Sequence, residues 1–182
     1  MEFFKNRTVA WFITIIVIIL ATLIGAGSSL RRLRKEAEDI FYLGEDRDGT
    51  GIQHDLEMIM SYSYNLTTVA SRYMDAEHSL ISAVRKNRDT LAQAETPGQK
   101  YEAAQNLLQA VTELYTYMGS LPLSESDQKF RNSLYADINS HNIIISRSTY
   151  NQHAREFNNT LKRFPANILG TLTFVRPLEL YE

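Results

Sequence analysis

The most distinctive hydrophobic pattern of the chain is an uncharged run near its N-terminus. No charged residue occurs between Thr8 and Leu30, and the stretch Val9–Ile24 is almost wholly apolar. As a helix, the uncharged run would span roughly 34 Å, slightly more than the hydrocarbon core of a bilayer. Trp11 stands at one end of it, where aromatic side chains meet the membrane interface. The pattern predicts a transmembrane helix, and a buried core helix is the alternative.

The residues that flank this run bear on cleavage and on topology. Small residues at 25–29 suit a signal peptidase, but basic residues follow them directly, so we predict an uncleaved, single-pass anchor in the cell membrane. Lys and Arg are slightly more numerous after the run than before it. This weakly predicts a cytoplasmic body and leaves an extracytoplasmic one open. The basic residues are Lys5 and Arg7 before the run, and Arg31, Arg32, Arg34 and Lys35 after it.

The soluble part shows a helical period in its apolar residues. One row recurs every seven residues from Leu56 to Leu91, and a second row recurs in the same way from Ile59 to Ala94. Alternating three- and four-residue steps of this kind are typical of the packed seam of a coiled coil. The rows predict a single helix from Ile52 to about Ala94, roughly 64 Å long.

Local signals predict two further helices. Thr96-Pro97-Gly98-Gln99 carries an N-cap threonine, a proline at the first helical position and a glutamine that completes a capping box. The helix that begins there is expected to end near Gly119. Ser124 and Asp127 form another plausible cap. The last helix is expected to stop at Phe164-Pro165, because the residue before a proline is pushed out of the α region.

These elements predict an all-α fold. An N-terminal transmembrane helix would precede an elongated antiparallel bundle of three long helices, with a juxtamembrane helix over Leu30–Leu43. The domains would be a membrane anchor (1–30), a basic juxtamembrane segment with a Gly-rich loop (31–51) and the bundle (52–182). The middle helix is shorter than its neighbours, so either a long helix overhangs it or the juxtamembrane stretch Leu30–Leu43 covers part of the exposed seam. An overhanging apolar seam would favour a homo-oligomer. The apolar tail after Pro165 should fold back on the bundle, or alternatively dock on a partner or the bilayer interface.

Composition narrows the class of function. The chain has 182 residues, a net charge of −2 and a pI near 6.1, which argues against nucleic acid as a partner. It has no cysteine, which excludes disulfides, thiolate metal sites and cysteine nucleophiles. No serine elbow or phosphate loop is present. The histidines, none of them at a metal-binding spacing, are His54, His78, His141 and His153. We therefore expect no enzyme and no cofactor.

The segment from Asp46 to Glu57 resembles a twelve-residue calcium loop. Asp46, Asp48 and Thr50 occupy its first, third and fifth positions, and Glu57 occupies the twelfth. The eighth position, normally apolar, is Gln53, and no second loop accompanies this one. A Ca²⁺ site is one interpretation. A Gly-rich polar linker, whose Asp and Thr side chains serve turns and caps, is the other.

Several polar residues lie on or near the apolar seams. Glu77 and Asn87 interrupt the seams of the predicted long helix, and Arg147 and Asn151 lie near the seam of the last helix. A polar side chain in a seam is destabilising unless it is paired, but it can fix the register of packing. We predict that Glu77 is partly buried and pairs with an arginine, first of all Arg147.

Short motifs follow one another in a characteristic order in the second half of the chain. They are Leu121-Pro122-Leu123, Arg147-Ser148-Thr149-Tyr150-Asn151, Phe157-Asn158, Phe164-Pro165 and Leu180-Tyr181-Glu182. Together, from about Asn65 onwards, they resemble the LemA family. Glu77, and Arg88 eleven residues later, match the family's long helix, whereas Gly119 and Ser140 stand where the family commonly has glutamate. With the residues that the resemblance adds, the predicted structural polar seam is Glu77, Arg88, Arg147, Tyr150, Asn151 and Asn158.

The resemblance implies a membrane-anchored helical bundle for which no reaction is established. We therefore expect a non-enzymatic scaffold or protein-interaction module that is held in a bilayer by residues 8–30. Its partners would be other membrane or membrane-proximal proteins. The alternative function is an extracytoplasmic ligand sensor whose helices respond to Ca²⁺ at Asp46–Glu57.

Overall fold

The computed structural model describes residues 7–182 and is helical along most of them. Its helices are Arg7–Leu43 (α1), Ile52–Ala70 (α2), Ser79–Gln93 (α3), Pro97–Met118 (α4), Glu125–Ser146 (α5), Tyr150–Lys162 (α6) and Ala166–Leu172 (α7). No β-strand occurs in this described part of the chain. The predicted all-α class is confirmed. Lys5, which entered the topology count, lies outside the described residues.

The chain divides into two compact units. The first unit contains the described residues up to Glu38 together with Gln152–Leu178, and the second contains Asp39–Asn151 and Glu179–Glu182. Helices α1 and α6 each supply residues to both units.

In the second unit, α2 to α5 form an antiparallel bundle. α2 packs against α5, and α3 packs against α4. Asp55 near the start of α2 contacts His141 in the last third of α5, and Arg72, just after the end of α2, contacts Asp127 at the start of α5. The apolar rows read from the sequence supply much of the interior. Its fully buried side chains include Leu56, Ile59, Leu66, Ile81, Val84, Leu107, Leu114, Met118 and Ile138.

The prediction of one helix from Ile52 to Ala94 is wrong, because the chain breaks between α2 and α3. The break holds local side-chain to backbone hydrogen bonds, which compete with the helical ladder. Asp75 Oδ1 accepts from the Glu77 amide at 2.9 Å, and His78 Nδ1 accepts from the Leu80 amide at 3.3 Å and caps α3. The break lets α3 reverse direction and pack against α4. The long overhanging helix, one of the two alternatives that the helix lengths left open, therefore does not form.

The last predicted helix is also divided. α5 ends at Ser146, and α6 begins at Tyr150. Ser148 Oγ accepts from the Tyr150 amide at 3.3 Å, which supplies an acceptor at the new helix start. The predicted stop before Phe164-Pro165 is confirmed to within two residues, since α6 ends at Lys162.

The predicted caps of the two middle helices are confirmed. Thr96 and Gln99 form the capping box of α4, with the threonine hydroxyl accepting from the Gln99 amide at 3.4 Å. The Ser124 hydroxyl accepts from the Asp127 amide at 3.1 Å and caps α5. These starts were readable because each depends on residues only three positions apart.

Helix α1 continues without a break from the apolar run into the basic segment, so the predicted juxtamembrane helix is its C-terminal part. The large apolar side chains from Trp11 to Leu20 are exposed, and so is Ile24. Farther along, Leu30, Ala37 and Phe41 are buried. Among the described helices, α1 is the one long and apolar enough to cross a membrane, judged by length and composition.

In the first unit, α7 and the chain that follows it pack against α1. Thr173 lies so close to Gly27 that a Cβ at the glycine would come within 2.8 Å of the Thr173 methyl carbon. The Arg31 guanidinium donates to the Thr173 carbonyl at 3.0 Å, and that of Arg34 donates to the Arg176 carbonyl at 3.2 Å. Gly27 therefore provides the close approach that this packing requires.

Candidate functional site

Three of the predicted polar residues, Tyr150, Asn151 and Asn158, bind the backbone of the C-terminal segment. We call these three residues the tail clamp. In the second unit, Asn151 Nδ2 donates to the Tyr181 carbonyl at 2.8 Å, and the Tyr181 amide donates back to Asn151 Oδ1 at 2.8 Å. A primary amide offers one donor and one acceptor in the arrangement of a peptide group. Asn151 therefore pairs with Tyr181 much as a neighbouring strand would.

Asn158 repeats this arrangement in the first unit. Its Nδ2 donates to the Leu178 carbonyl at 2.8 Å, and the Leu178 amide donates to its Oδ1 at 2.8 Å. Leu178 is itself buried, so its backbone groups need these partners.

Tyr150 supplies the apolar part of the tail clamp within the second unit. Its side chain is fully buried, and its hydroxyl donates to the Glu179 carbonyl at 2.6 Å. Its ring packs edge-on against Phe41, with the ring centroids 5.1 Å apart. Tyr181 packs in turn against Tyr101 at 5.3 Å, and burial raises the pKa of the Tyr181 hydroxyl well above its ordinary value.

The other predicted seam residues do not join the tail clamp, and the predicted pairing of Glu77 with Arg147 is wrong. Glu77 lies in the α2–α3 break, where 83% of its side chain is exposed and Arg85 lies 3.8 Å away. Because the helix ends before Glu77, the heptad position assigned to it does not exist. Arg147 is exposed at the C-cap of α5. Arg88 lies over the Tyr64 ring at 5.2 Å and contacts Asp89 at 3.2 Å.

The loop between α1 and α2 holds the residues of the predicted calcium site. Asp48 Oδ1 accepts from the Thr50 amide at 3.0 Å and from the Thr50 hydroxyl, and these bonds, the hydroxyl's above all, lower the pKa of Asp48. Glu57 accepts from Gln53 Nε2 at 2.7 Å, and Gln53 accepts from Lys100. Across the described chain, no three His, Asp or Glu side chains are grouped as a metal site would need. Calcium binding by Asp46, Asp48, Thr50 and Glu57 stays a prediction.

Two buried carboxylates that the sequence did not single out as sites connect α5 with α2 and with the break that follows α2. Asp55 Oδ1 lies 2.7 Å from His141 Nδ1, and the His141 ring stacks on Tyr62. Asp127 accepts from Tyr73 at 2.6 Å and from Arg72 at 2.7 Å. Only the cap role of Asp127 was visible in the sequence, because its other partners lie more than fifty positions away.

The contacts of Asp127 predict a dependence of stability on acid. The Tyr73 hydroxyl above all, and also the Arg72 guanidinium, lower the pKa of Asp127 below its ordinary value. The ionised form is favoured in the folded state, so this stabilisation is fully present above about pH 4 and is lost as the pH falls through the lowered pKa. Asp127→Asn should therefore lower the urea midpoint at neutral pH, and its difference from the wild type should shrink in acid. Asp89→Asn, at an exposed position, is the matched control; an equal effect of both substitutions would contradict the prediction.

The geometry defines a class of protein, a helical bundle in which side chains of α6 hydrogen-bond to the backbone of the C-terminal segment. Comparison with protein families matches residues 50–182 to the LemA family. The chain belongs to the LemA family. No curated protein matches it. The matched range includes the tail clamp and excludes all of α1.

Proposed function

We propose that this LemA protein is a non-enzymatic scaffold that α1 anchors in a bilayer through residues 8–30. The observation that carries the proposal is the exposure of the apolar part of α1. No residue in its most hydrophobic window is buried, although a core helix of a soluble protein would be covered there. A lipid environment would remove this surface from water.

The rest of the molecule supports a role in binding rather than in catalysis. The LemA family is not a known enzyme family. The tail clamp binds backbone groups of the same chain, and its two asparagines do not titrate. Apolar side chains of α5 remain exposed at Phe130, Ile143 and Ile144. Faces of this kind suit contact with other membrane-proximal proteins, or with a second copy of the chain.

Charge at the centre of α1 should abolish stable membrane association. With Ile16→Arg and Ile19→Arg together, we expect the full chain to move from the carbonate-washed membrane pellet to the supernatant. Two arginines at mid-bilayer cost about 6 kcal/mol on insertion scales. Immunoblotting of the two fractions measures the change.

The matched control carries Ser28→Arg and Ser29→Arg at the end of the run. There the side chains reach the interface, so this variant should stay in the pellet. Extraction of the wild-type chain by carbonate would contradict the proposal. Protease added to intact cells then reports the side of the membrane. A protected body agrees with the Lys and Arg count, and a digested one favours the extracytoplasmic sensor.

A further inference from the structure

The chain around α7 carries four large apolar side chains that the protein leaves uncovered. Ile168 and Leu172 are 52% and 56% exposed, and Phe164 and Phe174 are 80% and 88% exposed. Ile168 and Leu172 are four residues apart on α7 and so share one of its faces. We call these four residues the tail patch. Scattered apolar residues on a surface are ordinary, but a concentration within a few turns marks an interaction surface.

The backbone at Phe174 projects this ring outward. Phe174 follows the C-cap of α7 with a φ of 58°, in the left-handed region that usually takes glycine. The conformation is unfavourable for a residue with a Cβ. The Val175 amide closes the turn by donating to the Gly170 carbonyl at 2.9 Å. The turn thus places Val175 in the interior and Phe174 in the open, a strained arrangement that burial of Phe174 would offset.

The contacts of α7 with α1 fix the level of the tail patch along that helix. Within the first unit, Thr173 lies against Gly27, and Arg31 donates to the Thr173 carbonyl. Gly170 faces Leu30. These α1 residues form the last turn of the uncharged run and the first charged position after it. A bilayer spanned by residues 8–30 would therefore have its interface at the level of α7.

The charges near the tail patch suit lipid phosphates. From Phe157 to Leu178 the chain carries Lys162, Arg163 and Arg176 and no acidic residue. Arg31 and Arg32 stand on α1 directly after the uncharged run. Basic residues beside exposed phenylalanine and leucine side chains are the composition of segments that lie in the plane of a membrane interface.

We infer that the tail patch inserts into the boundary between headgroups and acyl chains of the bilayer that α1 spans. The inference rests on the proposed anchor, and it adds a second membrane contact contributed by the C-terminal part of the chain. The partner of the tail patch is the lipid bilayer, because α1 places the bilayer interface at the level of α7. Insertion of an apolar face in this way reaches about 5–10 Å into the interface.

Fluorescence of single tryptophans tests the inference in the full chain. The protein has one Trp, Trp11, so Phe174→Trp is made in a Trp11→Phe background and reconstituted in phosphatidylcholine vesicles with nitroxide-labelled lipids. We expect the introduced indole to emit at a shorter wavelength than an indole exposed to water. A label near the headgroup should quench this emission more than a label near the end of the acyl chain. Phe130→Trp in the same background is the matched control, because Phe130 is an exposed phenylalanine that belongs neither to the tail patch nor to α1. It should be quenched weakly by both labels.

The wild-type protein separates failure of this inference from failure of the anchor. Quenching of Trp11 by labelled lipid reports on α1 alone. If Trp11 is quenched and the Phe174→Trp indole is not, the anchor stands and the tail patch is not in the membrane. If Trp11 is not quenched, both proposals fall. A blue-shifted indole that lipid labels do not quench, with a shift that disappears on dilution into excess lipid, would assign the tail patch to a second copy and overturn the inference. If the Phe130→Trp control were quenched as strongly as the Phe174→Trp variant, the quenching would not be specific to the tail patch and the inference would be overturned.

Discussion

Tyr150→Ala is expected to lower the free energy of unfolding by about 4 kcal/mol, the usual cost of deleting a large buried aromatic side chain. Tyr150 is fully buried, and its ring contacts Phe41 edge-on. The substitution leaves a cavity and also removes the hydroxyl that donates to the Glu179 carbonyl. Urea unfolding of the full chain in detergent, followed by far-UV circular dichroism, measures the loss.

Two controls separate packing from hydrogen bonding. Tyr150→Phe keeps the ring and should cost only about 1 kcal/mol, the net value of one hydrogen bond. Tyr64→Ala removes a tyrosine that is mostly exposed, and it should cost much less than Tyr150→Ala. Equal losses for Tyr150→Ala and Tyr64→Ala would show that Tyr150 is not part of the core.

The helix starts at Thr96 and Ser124 could be predicted because their signals are local. Each needs a capping side chain and an acceptor or amide three residues later, and both lie within one turn. The apolar rows were readable for the same reason, since a helical period is a property of neighbouring residues. Leu56, Ile59 and Leu66 are accordingly all buried.

The break after Ala70 was hidden because the heptad pattern continues across it. Tyr73 and Leu80 keep the seven-residue step, although the chain turns between them. The Tyr73 hydroxyl is held by Asp127 and by the Ser124 amide, and these partners come from the start of α5. A seven-residue period depends only on residues close together in the sequence. It therefore cannot show that residues of another helix bind the turn between α2 and α3.

The hydrogen-bond partners of the polar residues could not be predicted from the sequence either. Asn151 and Asn158 were predicted to lie in a polar seam of the bundle, and each instead binds backbone of the tail. A polar position on an apolar face indicates that a partner must exist, because a buried polar group needs a hydrogen bond. It does not indicate which one. These partners lie 30 and 20 positions away along the chain.

Removal of either asparagine is expected to release the tail locally. Asn151→Ala deletes both hydrogen bonds to Tyr181, and Asn158→Ala deletes both to Leu178. Each substitution leaves a backbone amide and carbonyl without their partners, at a cost of about 3 kcal/mol. Exchange of the Tyr181 amide in the first variant, and of the Leu178 amide in the second, should therefore accelerate by about 100-fold. Hydrogen–deuterium exchange with mass spectrometry of the C-terminal peptide measures the change.

We expect the exchange rate of the Tyr181 amide to depend on the Nδ2 donor of Asn151 as well as on its Oδ1 acceptor. Asn151→Asp tests this. An aspartate keeps an oxygen that accepts from the Tyr181 amide but cannot donate to the Tyr181 carbonyl. Its exchange rate should fall between those of the wild type and Asn151→Ala. Asn159→Ala, one position beyond Asn158 on an exposed face of α6, should leave the Leu178 amide unchanged. Unchanged exchange in both alanine variants of the tail clamp would mean that the apolar contacts of Val175, Leu178 and Tyr181 hold the tail without the asparagines.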